Sequence, residues 1–249
     1  MRIIAAILPL LAACGSHRTP PIVPDEMAVC IPSDTIVLAG LRLERIRATP
    51  LYPALPATWR ALLEPMRDAT EMLIAYNGRD VLVIARGRFP SAPPGVVLLS
   101  STLALAGSPA AIRTATAQRA TGRTGAPALL AHAESADGKP IWLATQGRTP
   151  LPLPGNMANL NRALKLVDYA TLTVDINSRV EIHAIGVCHT LDECRQLEES
   201  LRALVSLAAA GTRDADLAAL FQSVQVTRDG STVQMALSAS VPAVERLLR

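Results

Sequence analysis

The chain repeats its own spacing at an offset of one hundred residues. Thr49-Pro50-Leu51 returns as Thr149-Pro150-Leu151, Asp68 as Asp168, Asn77 as Asn177 and Arg79 as Arg179. Between these marks Met72, Ile74 and Tyr76 align with Leu172, Val174 and Ile176 without a gap. Further on, LALAGSPAAIR (Leu103 to Arg113) is echoed by MALSASVPAVER (Met235 to Arg246). The shared order argues for duplication, so whatever one half folds into, the other should resemble.

Alternation and turn residues then suggest the elements of each half. The first half reads as strands at Thr35 to Leu43, Glu71 to Tyr76, Val81 to Arg88, Val96 to Leu99 and Thr102 to Ala106. Its helices are expected at Pro56 to Arg67 and Pro109 to Arg119, with proline in the first turn. The second half reads as strands at Ile141 to Thr145, Ala170 to Ile176, Val180 to Val187, Val224 to Thr227 and Thr232 to Ser238. Its helices are expected at Met157 to Val167 and Val241 to Leu248. Asn77-Gly78 and Asp229-Gly230 are the dipeptides of type I′ hairpins. The latter sets Val226 against Val233 and Val224 against Met235 on one face, with Gln225 against Gln234 and Thr227 against Thr232 on the other. Only the second half has a long helical insertion, 190–221, opening on the capping box Thr190-Leu191-Asp192-Glu193. The fold class implied is α+β: two related repeats of antiparallel sheet with helices packed on it. The strand and helix order of the second half also resembles ferredoxin-like domains, a fold that implies no single function.

The first fourteen residues carry a different message. Arg2 precedes an apolar run from Ile3 to Ala13 that ends in small residues, as a secretory signal does. The run is shorter than the roughly 20 residues a spanning helix needs. Leu11-Ala12-Ala13-Cys14 resembles the lipobox of bacterial lipoprotein precursors. That resemblance implies cleavage before Cys14, a lipid on its sulfur and attachment to the membrane through that lipid. Gly15, where the inner-membrane retention signal has Asp, implies the outer membrane, facing the periplasm. The alternative is an ordinary signal peptide cut near Ala13. Prolines 20, 21, 24 and 32 suggest a stiff tether. The expected organisation is signal peptide 1–13, tether 14–33, first repeat 34–120 and second repeat 121–249. Ile31-Pro32-Ser33-Asp34-Thr35, the arginine-rich turn after it and Thr49-Pro50-Leu51-Tyr52 resemble uncharacterised envelope lipoproteins, a likeness that brings no activity with it.

Composition supports a folded, non-nucleic-acid-binding body. Half of the 249 residues are hydrophobic and 18% charged, with a net charge of +3. No HExxH, GxSxG, P-loop, GxGxxG or CxxC occurs, and no cofactor is expected. In an oxidising envelope Cys188 and Cys194 are expected to bridge and Cys30 to remain free, two buried thiols being the alternative. A metal site on Cys188, His189, Cys194 and His183 fits no common zinc spacing. Thr171, Thr173, Asp175, Glu181 and His183 share one face and read as the wet side of a sheet. Ser108, Asp34 and Arg47 read as cap, loop and surface residues, and His132 as lying on a solvated helix.

Where the second half is wet, the first half is apolar. Leu73, Leu82 and Ile84 therefore form either a buried face, covered by helices near Pro109 to Arg119 and Ala126 to Glu134, or a partner surface. The functional expectation is a lipid-anchored envelope protein, more a binding module than an enzyme, with an envelope protein or apolar ligand as partner. An envelope hydrolase with its site between the repeats is the alternative.

Overall fold

The computed structural model describes residues 21–56, 66–92, 94–136, 138–149 and 160–247. Cys14, most of the helix expected at Pro56 to Arg67 and the start of that expected at Met157 to Val167 lie outside the described residues. Ten strands form one open antiparallel sheet. In chain order these are β1 (Val37–Leu41), β2 (Ala69–Tyr76), β3 (Val81–Gly87), β4 (Val96–Leu98), β5 (Leu103–Gly107), β6 (Ile141–Gln146), β7 (Val167–Ile176), β8 (Arg179–Cys188), β9 (Gln225–Asp229) and β10 (Thr232–Ser240). In space they run β4-β5-β3-β2-β1-β6-β7-β8-β10-β9. The helices are α1 (Asp25–Ala28), α2 (Leu43–Arg47), α3 (Pro109–Ala120), α4 (Pro127–Ala133), α5 (Leu160–Leu164), α6 (Leu191–Gly211), α7 (Ala215–Gln222) and α8 (Val241–Leu247).

A ferredoxin-like topology is not formed. That fold interleaves two split βαβ units. Here β8, the α6–α7 insertion and β9, with β10 between the two strands, supply one, while β6 and β7 are direct neighbours.

Both glycine turns differ from the type I′ expectation. The last hairpin pairs Thr232 with Asp229, Val226 with Met235 and Thr227 with Gln234, so its loop is Gly230-Ser231. Gly230, at φ 53°, takes the first central position, where a type II′ turn needs glycine. The register has moved by two residues, and because side chains alternate with period two, each residue keeps its face. In the first half, four residues separate the paired Tyr76 and Val81. Only Gly78 in that loop has a positive φ, at 94°.

One row of side chains crosses every strand and shows where the core lies. From edge to edge it reads Val97, Leu105, Ile84, Leu73, Gly40, Trp142, Thr173, His183, Ala236 and Gln225. Leu105, Ile84, Leu73 and Trp142 are buried, whereas His183 and Gln225 are exposed. The buried part is covered by α3 and α4 and by the segment holding Ile22, Val23, Met27, Cys30 and Ile31. Leu73, Leu82 and Ile84 thus lie inside the protein and offer no open partner surface. The same segment shortens the tether. Residues 22–31 are not a linker, because their apolar side chains belong to the main core.

The opposite face is covered in patches. Leu43 and Ile46 of α2, with Phe89, pack on Met72, Ala85 and Ala104. Cys194 and Leu197 of α6 pack with Cys188 on Val226 and Val233. The α6 capping box forms as expected, Thr190 N donating to Glu193 Oε2 at 3.1 Å and Glu193 N to Thr190 Oγ1 at 3.2 Å. Among the described residues no helix is long and apolar enough to cross a membrane.

Because Leu82 is 2% exposed, Leu82→Asp buries an unpaired carboxylate. The expected cost is about 3–5 kcal/mol. Thermal unfolding should show a large fall in Tm, and a variant melting like the parent would show that the face is not sealed.

Candidate functional site

The best-formed cavity sits at the end of the first-half sheet where β2 turns into β3. Its volume is about 520 Å³, and Ala75, Leu82 and Ala111 contribute its apolar lining. Its polar lining is Asp34 and Thr35 before β1, Asn77, Arg79 and Asp80 after β2, and Thr114 of α3, with Ser108 bonded to Asp80. Asp34 stands in the loop before β1, where Thr35 Oγ1 donates to the Pro32 carbonyl at 2.8 Å. Asn77 follows β2; its Nδ2 donates to Asp34 Oδ2 at 2.7 Å, and its Oδ1 accepts from the backbone of Arg79 at 3.0 Å and Asp80 at 2.8 Å. Ser108 caps α3, its Oγ accepting from Ala111 N at 3.1 Å and donating to Asp80 Oδ1 at 2.7 Å.

Asn77 and Ser108 thereby fix one oxygen of each carboxylate and, among the described residues, leave the other free of side-chain partners. Arg79 and Thr114 add donors at the rim. The arrangement can hold a small ligand rich in hydrogen-bonding groups. The Ser108 hydroxyl is committed to two partners, its proton directed at the Asp80 carboxylate and its oxygen at the first turn of α3. Asp34 and Ser108 are expected as loop and cap residues. Both descriptions hold locally, but Asp34 meets Asn77 and Ser108 meets Asp80 only because β1, β2 and α3 pack together, which no local pattern shows.

The other candidates fall at separate places. Cys188 and Cys194 are disulfide-bonded, with Cα atoms 5.5 Å apart, and Cys30 is a free thiol. Burial pushes the Cys30 thiol up from its ordinary range. No group of three metal-ligating side chains occurs among the described residues. His189 instead faces Asp168 at 3.5 Å, and Arg148 lies 3.7 Å from the same carboxylate. Thr173 pairs with His183, and Asp175 with Glu181, on the wet face.

Asp175 is not simply solvated. Lys139 Nζ lies 2.9 Å from its Oδ2 and, through that hydrogen bond above all, holds the carboxyl below the usual carboxylate range. His132 stacks on Tyr169 with ring centroids 3.5 Å apart, so it is less solvated than expected, and its burial lowers its pKa. Arg47 is not a free surface residue, because it ties the carbonyls of Met66 and Ala69 at 2.8 and 2.7 Å. Asp214 caps α7 through Asp216 N and Leu217 N, as a helix-start residue should.

No protein-family model matches the sequence, and no curated protein matches it. Its fold is similar to that of TP0453 of Treponema pallidum. Crystal form III superposes with a TM-score of 0.56 at 8% identity, covering 89% of this chain and 96% of that one. Crystal form IV gives 0.51 at 7%, covering 89% and 95%. At such identities the likeness is one of fold alone, and it extends over nearly the whole of both chains.

Two substitutions probe the local chemistry. Ser108→Ala removes the α3 cap and the partner of Asp80, and should cost about 1–2 kcal/mol in urea unfolding, with Ser108→Thr restoring most of it. Lys139→Met should cost about 1 kcal/mol at neutral pH, the pair being partly exposed. The folded-state pKa of Asp175 is depressed, so this stabilisation is present above the ordinary value of 3.8 and is lost as pH falls through the lower folded value. Parent and variant should therefore converge in stability under acid, and a constant gap would exclude the pairing.

Proposed function

We propose that this chain is a lipid-anchored protein of the bacterial cell envelope that works by binding rather than by catalysis. The observation that carries the reading is Leu11-Ala12-Ala13-Cys14 at the end of a short apolar run, close before a folded body. A diacylglycerol on Cys14, with its many methylenes at about 0.8 kcal/mol each, anchors such a body without any spanning segment. Gly15 favours the outer membrane, with the body in the periplasm.

The pocket geometry favours binding, since Asp34, Asn77 and Asp80 are held in place as acceptors and donors by their own hydrogen bonds around the turn. Its lining suits a polar ligand better than an apolar one; an envelope protein remains the alternative partner. We also propose that the two halves arose by duplication. In support, the spatial order of the first five strands mirrors that of the last five about the β1–β6 pair. β2 and β7 stand one hundred residues apart, the spacing seen in the sequence.

The test of the anchor is Cys14→Ala in the native host. The variant should leave the detergent phase and the membrane fraction, and the wild type should carry label from radioactive palmitate. A variant that fractionates with membranes as the wild type does would overturn the lipid anchor.

A further inference from the structure

The folded body begins much closer to Cys14 than its proline content suggests. Ile22 and Val23 are already in the core, so only residues 15–20 separate the cysteine from Pro21. Seven Cα steps of at most ~3.6 Å span no more than about 25 Å, whatever path they take. The end of the body that bears Pro21 must therefore stay within that distance of an anchoring lipid.

Pro21 lines a broad groove, of about 1110 Å³, at the strand ends opposite the Asn77 turn. β1 and β3 finish there and β2 begins. Arg42 and Arg88 stand in this groove with no ion pair among the described residues, and Arg45 reaches the carbonyl of Gly138. Arg86 is held by Glu71 at 2.9 Å. Glu26, Glu44 and Asp68 share the groove, so its charge is mixed rather than purely basic.

We propose that this end of the sheet is the membrane-facing surface, seated on phospholipid headgroups. The proposal rests on lipidation of Cys14. The guanidiniums of Arg42 and Arg88, without an ion pair among the described residues, suit headgroup phosphates, and the neighbouring carboxylates suit the ammonium of phosphatidylethanolamine. A mixed groove of this kind fits a zwitterionic surface better than it fits a polyanion. The orientation also assigns the other end. β2 has eight residues, about 25 Å at ~3.3 Å each, so the Asp34–Asn77–Asp80 cavity points away from the bilayer and stays open to the periplasm.

The experiment uses the full lipidated chain in vesicles of phosphatidylethanolamine and phosphatidylglycerol containing a headgroup-nitroxide lipid. Arg88→Cys and Arg79→Cys, both at exposed positions at opposite ends, each receive a fluorophore. Cys30 is buried and Cys188 and Cys194 are bonded, so labelling is specific. The Arg88 probe should be quenched at least about threefold more than the Arg79 probe, given the separation of the two ends. Inserting a Gly-Ser spacer of about 20 residues after Ser16 should abolish the difference. Equal quenching at both positions, or stronger quenching at Arg79, would overturn the orientation while leaving the anchor intact. Cys14→Ala protein that still floats with the vesicles would overturn the anchor, and the orientation with it.

Discussion

Everything in this fold hangs on the antiparallel pairing of β1 with β6. Without it there would be two five-stranded sheets, each with a raw central edge. With it, Val37 faces Thr145 and Leu41 faces Ile141, and the hydrogen-bond ladder continues across all ten strands. The pairing is made possible by an exchange of volumes. Trp142 lies flat across Gly40, where any Cβ would occupy the space of the indole. The largest fully buried side chain among the described residues thus meets the smallest residue at the seam. β1 is only five residues long, and its sequence partner β6 lies about one hundred residues away, so the seam is a non-local contact with a high loop-closure cost.

The seam also divides two surfaces. On the β1 side the row through Leu73 and Ile84 is sealed by α3, α4 and the segment from Ile22 to Ile31. On the β6 side the row passes to Thr173 and His183 and meets water. A sheet can be continuous in its backbone and change its solvent on one face within two strands. Side chains decide that, since every residue of an antiparallel ladder shares its face with its cross-strand partner. The edge strands are blunted in different ways. β4 is three residues long, while at β9 the Arg202 guanidinium donates to the Val226 carbonyl at 3.0 Å and the Glu198 carboxylate holds Arg228.

How much of this was legible in the sequence depends on whether the signal was local. Alternation marked every strand to within a few residues, and the Thr190–Glu193 box marked the start of α6, because both follow from contacts a few positions apart. Turn chemistry was read less well. Asn77-Gly78 and Asp229-Gly230 look alike as dipeptides, yet one lies in a four-residue loop and the other shifts its glycine to the first central position. The neighbouring residues decided between them: Asn77 Oδ1 collects two backbone amides and widens its loop. Residues 21–31 depart from the tether expectation for a related reason. Their prolines mark a backbone that cannot enter a regular element, which is equally true of a linker and of an irregular segment packed into a core. The distinguishing feature was the spacing of Ile22, Val23, Met27, Cys30 and Ile31, apolar positions that a solvated tether has no reason to carry.

The polar cavity was the least legible part, and the reason is geometric. Asp34, Asn77 with Asp80, and Ser108 lie in three separate turns or loop ends, each with a sufficient local purpose. Their convergence is set by the strand register: Tyr76 meets Val37 on one side and Val81 on the other, which brings the residues just beyond each strand end together. Leu82 pairs with Gly107, which puts the α3 cap beside the same turn. A one-residue slip at any of these pairings would rotate the apolar lining outward and separate Asp80 from Ser108. The register that builds the core therefore also builds the cavity, so selection for a tightly packed first half preserves the pocket geometry even where its individual polar residues contribute little to stability.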